Sequence, residues 1–317
     1  MDGATTRVRM DRIREAVHAA IVGRDAVLDQ IAVGLLADGH LLLEDLPGLG
    51  KTLMAKSFAQ ALGLKFQRIQ FTSDLLPHDI TGTEILEEDR QIRFRPGPLF
   101  ANLVLADEIN RAPPKVQSAL LEAMQEYQVT SDRSTYPLDR PFLVLATENP
   151  LELEGTYPLP EAQIDRFLLR LRVGYPTIEE EREILKRRRE RKHEMVEVPR
   201  VLTLSEFQEM QRSVEEVTVD PSIESYIVDL VRATRDDPRS EVGASPRGSL
   251  ALIRIARARA LVEGRDYVLP DDVKSYAVPA LAHRITVKAE PWIRGIRGEE
   301  IVRVALERTT VPKVPSA

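Results

Sequence analysis

The segment Asp45-Leu46-Pro47-Gly48-Leu49-Gly50-Lys51-Thr52 lies between a continuous apolar run, Leu41-Leu42-Leu43, and a stretch of helical periodicity from Lys51 to Leu62 that Gly63 ends. That order reads as strand, glycine-rich turn, helix, which is the context a phosphate-binding loop requires. Gly48 and Gly50 let the backbone curl so that its N–H groups converge on an anion, and the helix N-terminus that follows adds partial positive charge. Lys51 then reaches the β and γ phosphates of a nucleoside triphosphate, and the Thr52 hydroxyl ligates Mg²⁺. The nucleotide-binding set expected from the loop is Pro47, Gly48, Leu49, Gly50, Lys51, Thr52 and Leu53. Asp45 stands where the consensus has glycine; aspartate tolerates left-handed geometry, but its charge opposes a phosphate. A dinucleotide turn fits less well, because Lys51-Thr52-Leu53 follows where that motif needs its third glycine.

Hydrolysis needs a second strand that delivers a metal-organising acid and a group to orient the attacking water. Leu103-Val104-Leu105-Ala106-Asp107-Glu108 supplies both, Asp107 for Mg²⁺ and Glu108 for the water. An isolated Asp-Glu pair can equally cap a following helix. The loop upstream weighs against that plainer reading.

Further short apolar strands are predicted at 66–71, 142–146 and 167–173, alternating with helical or loop segments, which argues for a parallel α/β sheet covered on both faces. Thr83 to Arg95 and Tyr127 to Arg140 alternate polar and apolar residues and read as hairpin insertions. After Tyr175-Pro176 the pattern becomes helical. Thr177-Ile178-Glu179-Glu180 is a capping box, Ser205 with Gln208 offers a second, and Asp220-Pro221 opens a helix with Ile223, Tyr226, Ile227, Leu230 and Val231 on one face. A chain of 317 residues exceeds the usual size of one core. The expected division is a P-loop α/β core over 1–176 and an all-α lid over 177–317.

With Asp107-Glu108-Ile109-Asn110-Arg111-Ala112-Pro113-Pro114 and Ala146-Thr147-Glu148-Asn149-Pro150 both in view, the chain resembles the MoxR family of AAA+ ATPases. The similarity continues through Glu154-Gly155-Thr156-Tyr157-Pro158-Leu159-Pro160-Glu161-Ala162-Gln163-Ile164-Asp165-Arg166-Phe167 and into Ser245-Pro246-Arg247-Gly248, so it covers essentially the whole chain. The resemblance implies that the P-loop is Walker A, that Asp107 and Glu108 are Walker B, and that Asn149 is the sensor 1 residue. It implies that Arg166 is an arginine finger offered to a neighbouring subunit, a group worth about 10³ to 10⁵ in rate. Arg247 corresponds to sensor 2, carried by the lid so that lid position reports nucleotide state. Arg111 is a second interface arginine on the same ground. Ile21-Val22-Gly23 matches the place where the class packs adenine, which assigns Val22 and Gly23 to the nucleotide; a plain helix-ending turn is the other reading. The two insertions resemble the helix 2 insert and the pre-sensor 1 hairpin, which face the pore or the client.

Several classes are set aside. The chain has no cysteine, so disulfides, thiolate zinc sites and cysteine nucleophiles are excluded, which suits a reducing cytoplasm. The five histidines show no ligand spacing and read as surface or packing residues. Ser245 lacks the frame of a nucleophile elbow. No apolar run approaches the roughly 20 residues that span a bilayer. A formal net charge of −6 lacks the usual footprint of nucleic-acid binding. The basic run Lys186-Arg187-Arg188-Arg189-Glu190-Arg191-Lys192 reads as a solvated helix end, with an acidic-partner or nucleic-acid patch as the alternative.

The expected protein is a chaperone-like Mg-ATP hydrolase that assembles as a ring, a hexamer, and remodels or matures a protein partner. The resemblance suggests a partner with a von Willebrand factor A domain, with no stable nucleic acid and no membrane insertion. A nucleic-acid-stimulated translocase using Arg93, Arg95 and Arg133, and a slowly hydrolysing nucleotide-gated switch, are the competing readings.

Overall fold

The computed structural model describes residues 2–44, 46, 48–86, 91–131, 134–149, 155–193 and 195–313. Asp45, Pro47, Arg133, Pro150 and Glu154, all singled out in the sequence, lie outside the described residues.

The chain begins with helices α1 (Gly3–His18) and α2 (Asp25–Leu36), followed by strand β1 (Leu41–Glu44), α3 (Lys51–Ala61) and β2 (Phe66–Gln70). After α4 (Pro77–Thr81) come β3 (Gly82–Leu86), β4 (Ile92–Pro96) and β5 (Leu103–Asp107). Next are α5 (Pro114–Glu126), β6 (Gln128–Ser131), β7 (Ser134–Pro137), β8 (Leu143–Glu148), α6 (Glu161–Ile164) and β9 (Leu169–Leu171). One sheet takes five of these strands in the order β2-β5-β8-β1-β9, every pairing parallel. The inner strands β1, β5 and β8 are the unbroken apolar runs of the sequence, whereas the edge strand β2 is largely exposed. Leu103, Val104, Leu105 and Ala106 are fully buried on both faces, as an inner parallel strand must be.

The register decides where chemistry can sit. Gln70 pairs with Asp107, Leu43 with Thr147 and Glu44 with Glu148, so the carboxyl ends of four strands finish flush along one edge. That edge is where open α/β sheets bind ligands.

The two insertions are antiparallel pairs, β3 with β4 and β6 with β7. They lean on each other: the rings of Phe94 and Tyr136 stack with centroids 3.7 Å apart and planes 9° apart.

The remainder is helical: α7 (Ile178–Arg191), α8 (Leu204–Glu215), α9 (Pro221–Asp236), α10 (Pro246–Val262), α11 (Pro270–Leu281), α12 (Ala289–Ile293) and α13 (Gly298–Arg308). A short antiparallel pair, β10 (Ser240–Val242) with β11 (Thr286–Val287), adds to the helices. Thr177 and Glu180 form the expected capping box of α7. The second box is displaced from its expected position. Thr203 caps α8 with Glu206, rather than Ser205 with Gln208. The two frames overlap by two residues, and the ionised Glu206 makes the stronger bond to the Thr203 N–H. On α9 all five apolar positions read from the sequence are buried.

Two apolar clusters cover the two faces of the sheet. One gathers α1, α2, α3 and the long helices α8 to α11; the other packs α5 and Phe71, Leu99 and Phe142 on the opposite side. Among the described residues no helix is long and apolar enough to cross a membrane.

Candidate functional site

Gly48 and Gly50 hold φ of +83° and +82°, the left-handed backbone that glycine adopts without penalty. No atom lies within 4 Å of where a Cβ at Gly48 would stand, so the loop is open on its concave side. Lys51 starts α3, is 8% exposed, and its Nζ donates to the Leu46 carbonyl at 3.2 Å. A cavity of about 420 Å³ opens here, lined by Gly48, Gly50, Lys51, Thr52 and Leu53 on the loop side and by Arg68, Gln70, Asp107, Glu108 and Asn149 from the strand ends.

The acids are set by one hydroxyl. Thr147 Oγ1 donates to Asp107 Oδ1 at 2.7 Å and accepts from the Glu108 N–H at 2.8 Å, bridging β8 to β5. Glu108 itself is left-handed (φ 58°, ψ 50°), a conformation that costs a non-glycine residue on the order of 1–3 kcal/mol and swings its carboxylate off the strand. Arg68 reaches Asp107 Oδ2 through Nε at 3.1 Å and Nη2 at 2.7 Å. Gln70 Nε2 donates to Glu108 Oε2 at 2.8 Å, and Arg111 Nη1 donates to the same oxygen at 3.2 Å. Arg111, expected at an interface, therefore touches Glu108 of its own chain. Asn149 lines the cavity, with Asn110 Nδ2 donating to its carbonyl at 3.4 Å.

A second cavity, of about 330 Å³, adjoins the loop. Ile21, Val22, Leu49, Leu53 and Met54 make its apolar wall, and Ile184, Arg187, Arg188 and Arg191 of α7 close it from the helical part. Val22, assigned to the base by the resemblance, lines this wall. Gly23 is not in that wall: its φ of +62° turns the chain, and Glu180 Oε1 packs 1.7 Å from where a Cβ would be. The basic run on α7 is only in part a solvated helix end, since Arg187 and Arg188 face this cavity and Arg187 Nη1 also donates to the His18 carbonyl at 2.6 Å.

Arg166 and Arg247 lie elsewhere. They meet at a cavity of about 240 Å³ between α5, the start of β9 and the helical part, together with Arg254 and Arg284. Arg247 Nη1 is 3.6 Å from Asp165 Oδ2. Arg166 Nη1 donates to the Leu121 carbonyl at 2.8 Å, while its Nε is buried with no hydrogen-bond partner among the described residues. Neither side chain lines the phosphate cavity of its own chain.

Behind the loop, Glu44 and Glu148 stand in register on β1 and β8. Burial, then the neighbouring Glu44 carboxylate, push Glu148 up to about 7, against the pull of Arg170. His40 is a packing histidine, bonded to the Met124 carbonyl and the Val144 N–H, and burial pushes it down to about 4.

Residues 40–169 match the model of an ATPase family associated with various cellular activities (AAA), and residues 232–304 match an AAA lid domain. The chain is 44% identical over 319 residues to Chaperone MoxR1 of Mycobacterium tuberculosis, covering 96% of this chain and 83% of that one. The chain belongs to the MoxR family of AAA+ ATPases. Protein MoxR of Methylorubrum extorquens is 30% identical over 328 residues, covering 95% and 94%. An uncharacterized protein of Bacillus subtilis, YeaC, is 48% identical over 304 residues, covering 96% and 95%. A crystal structure of a protein assigned as an ATPase from Cytophaga hutchinsonii superposes with a TM-score of 0.92 at 41% identity, over 98% and 97% of the two chains. As a MoxR-family member this chain is a nucleotide-binding ATPase.

Within that MoxR frame, sequence reasoning missed Arg68, Gln70, Thr147 and the cavity-facing arginines of α7. The period-2 alternation of β2, which puts Arg68 and Gln70 on one face beside Asp107, was the available signal for two of them. Thr147 could have been found as the strand residue in register with Leu43, but only once the pairing was known.

Proposed function

We propose that this chain is a ring-forming, Mg²⁺-dependent ATPase, hexameric and cytoplasmic, that couples hydrolysis to remodelling or maturing a protein client. The observation that carries the ring is the separation of the two arginines from the phosphate cavity. A group such as Arg166 stabilises charge only where it can reach the γ phosphate, and on its own chain it faces a different cavity. Its use is then on the neighbouring subunit's nucleotide, with Arg247 beside it on the same side of the molecule.

In the phosphate cavity the backbone N–H groups of Gly48 to Thr52 cradle the phosphates, and Lys51 moves from the Leu46 carbonyl to the β and γ oxygens. Thr52 and Asp107 are the residues that hold Mg²⁺, which when bound neutralises charge on the phosphate oxygens. The donor set fits: a hydroxyl and a carboxylate on facing walls of one open cavity. Glu108 orients the attacking water, and Asn149 at the end of β8 contacts the γ phosphate or that water. Val22 packs the base against Leu49 and Leu53. The nucleotide core ends near Pro176, and the lid runs from there onward.

The names of the MoxR relatives support a chaperone role, and a client with a von Willebrand factor A domain extends that by analogy. ATPase rate against protein concentration tests the reading, for the wild type, Lys51→Ala, Glu108→Gln and Arg166→Ala, with nucleotide affinity measured alongside. Activity per subunit should rise with concentration, Lys51→Ala should lose binding, and the other two should bind without turnover. Constant activity per subunit down to monomers overturns the shared site. Stimulation by DNA or RNA with steep salt dependence would replace the client reading with a translocase.

A further inference from the structure

The residues on either side of Arg166 are bonded from the helical part of the same chain. Arg284, at the end of the 3₁₀ turn Ala282–Arg284 that follows α11, has a side chain only 4% exposed. Its Nε donates to Asp165 Oδ1 at 2.8 Å, and its Nη2 donates to the Asp165 carbonyl at 3.1 Å and the Phe167 carbonyl at 2.8 Å. One planar group thus grips the residues on both sides of Arg166. A fourth bond, from Nη1 to the Ala280 carbonyl, ties the guanidinium back to the last turn of α11. Nearby, Thr286 Oγ1 donates to Glu161 Oε2 at 2.6 Å, and His283 Nε2 lies 3.1 Å from the Phe167 carbonyl.

We propose that Arg284 is a positioning residue for Arg166: through Asp165 and the Phe167 carbonyl it makes the placement of the finger depend on the helical part of the same subunit. The inference rests on the reading of Arg166 as a group that acts on the neighbour's nucleotide. Two features make the grip specific to the fork of an arginine. The acceptors are one carboxylate and carbonyls in different directions, which five donors in a fixed plane satisfy and a lysine ammonium cannot. The carboxylate also offsets the cost of burying the charge, which leaves Arg284 lowered only to about 10 and so charged at neutral pH. The helical part meets its own nucleotide site as well, through α7 at the base-side cavity. The helical part therefore lines the base-side cavity of its own subunit through α7 and holds the residues that flank the finger through Arg284.

The test uses mixed rings of the full chain. Lys51→Ala cannot bind nucleotide but keeps Arg166, and Arg166→Ala binds nucleotide but offers no finger; mixed in equal amounts they should regain activity. The donor is then changed to Lys51→Ala/Arg284→Met and, separately, Lys51→Ala/Arg284→Lys. Rescue should fall roughly tenfold to a hundredfold with either donor, as expected when a reacting group is misplaced by about 1 Å. Arg284→Met alone should bind ATP as the wild type does, since its own phosphate cavity is untouched, and that affinity distinguishes a positioning role from general damage. If Arg284→Met loses binding, the lysine donor carries the comparison. Rescue by either double-variant donor at the level of Lys51→Ala overturns the proposal. If the reference mixture itself stays inactive, the fault is in the reading of Arg166.

Discussion

Gln70 holds Glu108: the side-chain amide on β2 donates to the Glu108 carboxylate across the carboxyl ends of two paired strands, at 2.8 Å. A carboxylate oxygen that accepts from Gln70 and from Arg111 has less capacity left for a water. We predict that Gln70→Ala raises kcat about two- to tenfold, the worth of one hydrogen bond, and leaves nucleotide affinity unchanged. Steady-state rates with a parallel binding titration check this. A fall in kcat would mean that Gln70 aims Glu108 rather than restraining it.

Glu148 gives the stability a pH dependence with a definite sign. Its folded pKa, about 7, lies above the ordinary carboxyl value of 4.5, so the folded state binds the proton more tightly than the unfolded one. Stability from this group is therefore lost as pH rises from about 4.5 to about 7, and the full penalty, on the order of 3 kcal/mol, stands above that window. Glu148→Gln should melt higher than the wild type at pH 8 and similarly at pH 4.5. Equal melting temperatures of the two proteins at both pH values would remove Glu148 as the cause.

Gln117 is 1% exposed, and its Nε2 donates to the Ile109 carbonyl at 3.2 Å and the Tyr157 carbonyl at 2.8 Å. It fastens the segment after Glu108 to the loop that precedes α6. Gln117→Met keeps the volume and strands both carbonyls, and should cost about 1–3 kcal/mol in urea unfolding. A loss below a few tenths of a kcal/mol would show that water or a shift of the loop replaces the amide.

Gly23 and Gly174 share a left-handed backbone, but only Gly23 is crowded, by Glu180. Alanine at Gly174 should cost about 1–2 kcal/mol for φ alone. At Gly23 it should cost more and weaken ATP binding, because the start of α7 is pushed off the base-side cavity. Adding Glu180→Ala should recover part of the Gly23→Ala loss in a double-mutant cycle; strict additivity would deny the contact.

The sheet was legible because its inner strands are buried on both faces and so read as unbroken apolar runs, from Leu41 to Leu43 and from Leu103 to Ala106. The phosphate loop was legible because glycine, lysine and threonine at fixed spacing serve one purpose. The box of Thr177 and Glu180 was read correctly and that of Thr203 was not, since Ser205 two residues on offers the same pattern. The alternation of β2 put Arg68 and Gln70 on one face, but their partners, and Thr147 altogether, were not legible, because they come from strand register, which a single sequence does not display. The position of Arg247 beside Asp165, and of Arg284 behind Arg166, depends on how the helical part seats against the core. No local pattern encodes that.

The stacked rings of Phe94 and Tyr136 join two hairpins that come from different stretches of the chain, and each hairpin runs on into a different inner strand. From β4 the chain continues to β5 and Asp107; from β7 it continues to β8 and Asn149. The two approaches to the strand ends are thus tied to each other well away from the sheet, by the stacked rings and by the Tyr136 hydroxyl donating to Glu84 Oε1 at 3.4 Å, so neither hairpin can shift without the other.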